Sequence, residues 1–308
     1  MAGLFFYICR LTFNQSIMKS LKIIVLAKQV PDTRNVGKDA MKADGTVNRG
    51  ALAAIFNPED LNALEQALRI KDRYPESEII ILTMGPGRAA EIIREAMYRG
   101  ADRGYLLTDR KFAGSDTLAT SYALSMAIRK MEPYALVIAG RQAIDGDTAQ
   151  VGPQVAEKLG LPQVTYTEEI LEITDEIIVI KRRLERGVEI VKSSLPLLIT
   201  VHNSAPACRP RHAKKLMKFK HAQTVTEMQD NSEDYINLQH DRPYLRIEEW
   251  SVEDVKADDS KLGLSGSPTK VKKIENVVFK AKESKVLTAQ NGDIEWLVKE
   301  LITNNTIG

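Results

Sequence analysis

Short apolar runs alternate with helix-length amphipathic segments through the first half of this chain, and no other feature narrows its possible folds as far. "KIIVLAK" (22–28), "SEIIILTMGPG" (77–87), "GYLLTD" (104–109) and "YALVIAG" (134–140) read as strands, apolar over consecutive residues as strands buried on both faces are. Between them lie helical patterns. "NPEDLNALEQALRIKDRY" (57–74) sets Leu61, Leu64, Ala67 and Leu68 on one face, with Asn57 as its cap, Pro58 at its first position and Glu59 and Asp60 in its first turn. "RAAEIIREAMYRG" is closed by Gly100, and "SDTLATSYALSMAIRKM" (115–131) opens on Ser115 or Asp116. Strands separated by helices of this length join through right-handed βαβ crossovers. The expectation is an α/β fold: a doubly wound, mostly parallel sheet in three α/β/α layers.

After residue 160 the pattern shifts to shorter β-like pieces, with strands at 174–183 and 187–193 forming a hairpin ahead of the buried run "PLLITV". From about 205 the chain turns polar and irregular, and it ends in a short amphipathic helix, "DIEWLVKELIT" (293–303). The organisation expected is therefore an extension outside the fold (1–17), an α/β domain (18–204) and a partner-docking loop with a C-terminal extended arm (205–308). The segment "MAGLFFYICRLTFNQSI" is too short to span a bilayer and lacks the basic flank and cleavage site of a secretory signal.

Charge and cysteine content exclude several classes of function. Forty-three Lys and Arg against 41 Asp and Glu leave a formal charge of +2, which argues for neither a nucleic acid nor an anionic membrane as partner. Cys9 and Cys208 are too few for a disulfide framework and fit a reducing, cytoplasmic compartment. His202, His212, His221 and His240 show no metal-ligand spacing, so no metal site is expected. The basic run "RPRHAKKLMKFKH" reads as a solvated face or as a dock for an acidic partner.

In an open parallel sheet, ligands sit where the loops after the strands converge, which directs attention to "AKQVPDT", "NPED", "MGPG" and "GRQAIDGDTAQVGP". These contain Ala27, Met84 and Gly85, and the long loop from Gly140 onward. The helix after the long loop, starting at Thr148 or at Gly152, would present unpaired N–H groups to a phosphate. Thr148 and Gln150 add neutral donors, and Asp145 or Asp147 could accept ribose hydroxyls. The competing reading is a plain strand-to-helix turn, because neither a P-loop nor a GxGxxG spacing is present.

Six ordered stretches, "VLAKQVPD", "NPEDLNALEQALRIK", "TMGPGRAAEIIREAMYRGADRGYLL", "GRQAIDGDTAQVGPQVAEKLGLP", "KRRLERGVEIVKSSLPLLITV" and "LGLSGSPTKV", make the chain from Met18 onward resemble the β subunit of electron transfer flavoprotein. The resemblance implies a fold related to the adenine-nucleotide α-hydrolases and a heterodimer with an α subunit that carries a mobile FAD domain. It also implies a cofactor site at Leu26, at Asn57, Pro58, Glu59 and Asp60, at Met84, and at Gly140, Arg141, Gln142, Ala143, Ile144, Asp145, Gly146, Asp147, Thr148, Ala149, Gln150 and Val151. "DGDTAQVGP" and "GSPT" are similar to the branch that holds FAD where simpler members hold AMP, and that draws electrons from NADH for electron bifurcation. The small residues Gly146, Thr148 and Ala149 leave room there for a pyrophosphate. The partners implied are a dehydrogenase of the acyl-CoA dehydrogenase type and, as low-potential acceptor, ferredoxin. Flavins carry such redox chemistry, so no catalytic side chain is expected. Two alternatives stay open: a subunit holding structural AMP, and a non-redox adenine-nucleotide binder. Ala213 stands where mitochondrial-type members place a docking leucine.

Overall fold

The computed structural model describes residues 20–32, 53–230, 242–269, 286–288 and 292–304, so the extension expected over residues 1–17 lies outside the described residues. The chain divides into two units, residues 1–272 and 273–308.

In the first unit, β1 (Lys22–Leu26), β2 (Gln29–Pro31) and β3 (Ala54–Phe56) precede α1 (Pro58–Arg73), β4 (Glu78–Met84), α2 (Ala90–Arg99) and β5 (Arg103–Leu107). Next come α3 (Thr117–Lys130), β6 (Leu136–Gly140), α4 (Val151–Leu159), β7 (Gln163–Ile173), β8 (Ile177–Leu184), β9 (Gly187–Ser194) and β10 (Leu197–Val201). The unit is completed by α5 (Ala213–Phe219), β11 (Gln223–Thr224), α6 (Val225–Asp230) and β12 (Arg246–Trp250). Ten strands form one sheet in the order β11-β12-β5-β4-β1-β6-β10-β7-β8-β9. It is parallel from β11 to β7 and antiparallel across β7, β8 and β9. β2 and β3 pair separately as a small antiparallel ribbon.

The sheet is buried on both faces, which is why its central strands are continuous apolar runs. Ile23, Ile24 and Val25 of β1 are fully buried, as are Ile79 and Ile81 of β4 and Leu136, Val137 and Ile138 of β6. One apolar core lies between the sheet and α1 and α2, and a second lies between the sheet and α3 and α4, which gives the three layers expected. Each aliphatic side chain buried in this way contributes about 1.5–3 kcal/mol.

Several local expectations give way. Residues from 205 onward do not stay apart from the α/β body: β12 pairs with β5, β11 pairs with β12, and Phe219, Leu245, Ile247, Val252 and Leu262 are buried. Their hydrophobes are spaced by turns rather than by a helical period, so the stretch reads as coreless while still covering the β5 side of the sheet. The acidic stretch from 221 to 260 thus supplies β11, α6 and β12 where it is described. α2 begins at Ala90, after a 3-10 turn over Gly87–Ala89, rather than at Arg88. Asp116, not Ser115, caps α3, its carboxylate accepting the N–H groups of Leu118 and Ala119. α4 begins at Val151, between the two starts considered.

The second unit contains the helix α7 (Asp293–Thr303), on the residues expected of it. Among the described residues no helix is long and apolar enough to cross a membrane.

Candidate functional site

The strand order reverses between β1 and β6, with β4 and β5 on one side and β10 on the other, and the carboxyl ends of these two strands diverge there. A cleft of about 380 Å³ opens at this point. Leu26, Ala27 and Lys28 from the end of β1 line it, together with Leu82 and Met84 of β4, Ala139 and Gly140 of β6, and the long loop that follows.

Asp60 forms the floor. Its carboxylate accepts the Lys28 N–H at 2.8 Å and the Gly140 N–H at 3.1 Å, so one side chain in the first turn of α1 joins the ends of both strands. Gly140 is required at this spot, because a Cβ there would lie 2.3 Å from Asp60 Oδ1 and 2.8 Å from the Asp60 backbone nitrogen. Burial pushes the Asp60 pKa up to about 7, against the hydrogen bonds from Asn57, Lys28 and Gly140 that lower it.

The long loop is tied down by the residues that precede Asp60. Asn57 stands at the cap position of α1 but makes no side-chain cap hydrogen bond. Its amide instead donates to the Gln142 carbonyl at 2.9 Å and accepts the Ile144 N–H at 3.2 Å. Glu59 accepts from the Arg141 guanidinium at 2.8 Å and from the Gln142 N–H at 3.1 Å. With its first half fixed, the loop turns through Asp147 and Ala149, both at positive φ (50° and 52°), and runs into α4. The N–H groups of Thr148, Ala149, Gln150, Val151 and Gly152 donate to no group among the described residues, and all five residues line the cleft. Successive unpaired N–H groups at positive φ and at the start of a helix form a concave binding site for an anion.

The opposite wall is the β5–α3 connection, where Phe112, Gly114, Ser115, Asp116 and Thr117 line the cleft. Thr117 donates to the Gln150 side chain at 2.9 Å, which links the two walls. This wall is braced from far along the chain. Ser267 Oγ accepts the Asp116 N–H at 2.8 Å and donates to the Gly263 carbonyl at 2.6 Å, and Thr269 N–H donates to the Asp116 carboxylate at 3.0 Å. Gly263 N–H donates to Ser115 Oγ at 3.1 Å. Gly263 itself has φ +54, and a Cβ on it would lie 2.4 Å from the Lys111 carbonyl oxygen. "LGLSGSPT" is therefore part of the cleft's architecture without lining it.

Of the residues singled out from sequence, Leu26, Ala27, Asp60, Met84, Gly140, Arg141, Gln142, Ala143, Gly146, Asp147, Thr148, Ala149, Gln150 and Val151 come together around the cleft. Asn57, Pro58, Glu59, Gly85, Ile144 and Asp145 do not line it; Asn57 and Glu59 act on its loop from behind. Sequence reasoning passed over Lys28 and the Phe112–Thr117 wall. Applying the strand-end rule to β5, as it was applied to its neighbours, would have found that wall.

What this arrangement can hold is a ligand with an anionic group at the loop and an apolar or aromatic part against Leu26, Leu82, Met84, Phe112 and Leu124. A phosphate-bearing nucleotide fits both requirements.

Comparison with known proteins points the same way. Residues 44–227 match the model of the electron transfer flavoprotein domain. The chain is 41% identical over 253 residues to the electron transfer flavoprotein subunit beta of Clostridium acetobutylicum, covering 82% of this chain and 87% of that protein. It is 42% identical over 251 residues to the caffeyl-CoA reductase-Etf complex subunit CarD of Acetobacterium woodii, covering 82% and 86%. Protein FixA of Bradyrhizobium diazoefficiens is 38% identical over 288 residues, 91% of each chain.

Proposed function

This chain belongs to the electron transfer flavoprotein family, as a β subunit, and from that premise we propose that its cleft holds FAD. Paired with an α subunit, it passes electrons drawn from NADH, by flavin-based bifurcation, to a partner dehydrogenase and a low-potential acceptor of the ferredoxin type.

The observation that carries the reading is the run of five N–H groups from Thr148 to Gly152 that donate to no described group, on residues lining a cleft that also has Leu26, Leu82, Met84, Phe112 and Leu124 in its walls. Neutral donors of this kind hold a pyrophosphate without a rigid cation, and the α4 dipole adds to them. The flavin supplies the one- and two-electron chemistry; the chain's residues bind, orient and enclose it. Asp60 fixes the two strand ends, Asn57 and Glu59 fix the loop, and the Ser267 brace fixes the far wall.

A mononucleotide is the second reading. A volume of about 380 Å³ is small for a binding cleft, toward the lower end of the range of about 300–1,000 Å³ that ligand pockets span. AMP, the smaller ligand, suits that volume better, and FAD would extend beyond it. The caffeyl-CoA reductase-Etf complex named for one relative supports the redox reading over a non-redox nucleotide binder.

The α subunit as partner is supported by the family and by α7, whose Ile294, Trp296, Leu297 and Val298 are exposed. In this reading α7 grips the α subunit. The function is tested by co-producing the chain with its α subunit and adding NADH together with a high-potential acceptor and ferredoxin. Bifurcation predicts that ferredoxin is reduced only while the high-potential acceptor is also consumed. Reduction of the high-potential acceptor alone would leave a simple carrier.

A further inference from the structure

We infer that Lys28 is the cation that meets the ligand's phosphate, and that Asp145 holds it at the mouth of the cleft as an internal stand-in for that phosphate. The inference rests on the reading of the cleft as a site for a phosphate-bearing nucleotide.

Among the described residues lining the cleft, two are cations, Lys28 and Arg141, and three are acids, Asp60, Asp116 and Asp147. With Asp60 protonated or ionised, the lining carries no net positive charge, so an anionic ligand meets no attraction from it unless a cation is brought to bear. Arg141 is committed elsewhere: its guanidinium holds Glu59 at 2.8 and 3.3 Å, and the Glu59 side chain is only 7% exposed. Pulling Arg141 away would leave the buried Glu59 carboxylate without its cation and with only the Gln142 N–H, a costly step. Lys28 is placed differently. Its ammonium lies 2.8 Å from both carboxylate oxygens of Asp145, with the two side chains 49% and 24% exposed.

The pair joins the end of β1 to the long loop, and of its two members Lys28 lines the cleft and Asp145 does not. An exposed ion pair of this kind contributes little net stability, so exchanging it for a phosphate in the cleft is easy. The backbone of Lys28 need not move, since its N–H is fixed on Asp60. Only the flexible side chain swings, from a carboxylate outside the cleft to a phosphate at the row of loop N–H groups. Asp145 is then a competitor for Lys28 rather than a ligand contact, which reverses the sign expected for an aspartate that accepts ribose hydroxyls.

The test uses the full-length chain and three probes: AMP and FAD, which carry phosphate, and adenosine, which does not. Lys28→Gln is expected to weaken AMP and FAD by about tenfold, the scale of one charge-assisted contact, and to leave adenosine unchanged. Lys28→Arg should recover most of the loss. Asp145→Asn should tighten AMP by about two- to fivefold, and should do nothing in the Lys28→Gln background, because its effect runs through Lys28. The inference is overturned if Lys28→Gln binds AMP as the wild type does, or weakens AMP and adenosine alike. Weaker AMP binding by Asp145→Asn overturns it as well and makes Asp145 a ligand contact. Wild-type chain that binds neither AMP nor FAD overturns the nucleotide reading itself, and this inference with it.

Discussion

Asn57 Nδ2 donates to the carbonyl oxygen of Gln142 at 2.9 Å across 85 positions of sequence, so the residue at the cap position of α1 spends its side chain on the loop after β6. Its Oδ1 accepts the Ile144 N–H, and Asn57 is fully buried. Asn57→Ala removes both contacts and leaves two loop backbone groups unpaired, at a cost of about 1–3 kcal/mol. The expected outcome is a lower denaturation midpoint together with a loss of nucleotide affinity. A variant that lost stability but bound AMP normally would show that Asn57 only holds the helix.

Asp60 gives the cleft a pH dependence of predictable sign. Burial raises its folded pKa to about 7, well above the unfolded value of about 3.9. The folded state then binds the extra proton, so the stability that Asp60 contributes is complete below about pH 4, falls as pH rises toward 7 and is flat above it. Urea denaturation at pH 5, 6, 7 and 8 checks this as the difference between wild type and Asp60→Asn, which cancels the other titrating groups. The difference should shrink steadily from pH 5 to 7 and then level off. A difference independent of pH would place the Asp60 pKa in the ordinary carboxylate range.

Ser267 sets the far wall of the cleft from a distance of 151 residues through the Asp116 N–H. Ser267→Ala deletes a buried acceptor and should cost about 1–2 kcal/mol while loosening the Phe112–Thr117 wall. The expected signature is faster ligand release with little change in association rate. Stopped-flow displacement measures it directly. Unchanged release would mean that the brace is structural only.

What could be read from sequence follows from burial. β1, β4, β6 and β10 are legible because both of their faces are covered, which leaves continuous apolar runs. β7 is only partly legible because it carries Glu168 and Glu169 in its middle, where Glu168 pairs with Lys181 at 3.1 Å and Arg183 at 2.6 Å. β12, "RIEEW", looks like a polar surface segment because only Ile247 is fully covered. β2, β3 and β11 have two or three residues each, too few to show a period. At the site, the loop after β1 stands out by its position and the loop after β6 by its position and its glycines, whereas the wall after β5 has the position but is braced by Ser267, 151 residues away, a pairing no local pattern reveals.

Thr148 tests the loop itself. Its N–H is one of the five that donate to no described group. Thr148→Glu places a carboxylate beside them and should expel a phosphate-bearing ligand by like-charge repulsion. Thr148→Ser should bind as the wild type does. Retention of full AMP affinity by the glutamate variant would move the phosphate away from this loop.

The most direct measurement for the whole account is the cofactor content of the chain purified together with its α subunit, released by acid and counted by chromatography against protein. About two FAD per heterodimer and no AMP are expected, one flavin in each subunit, because two flavins are what bifurcation uses. One FAD with one AMP would contradict the bifurcating assignment, and a complex carrying no flavin would contradict the electron-carrier reading altogether.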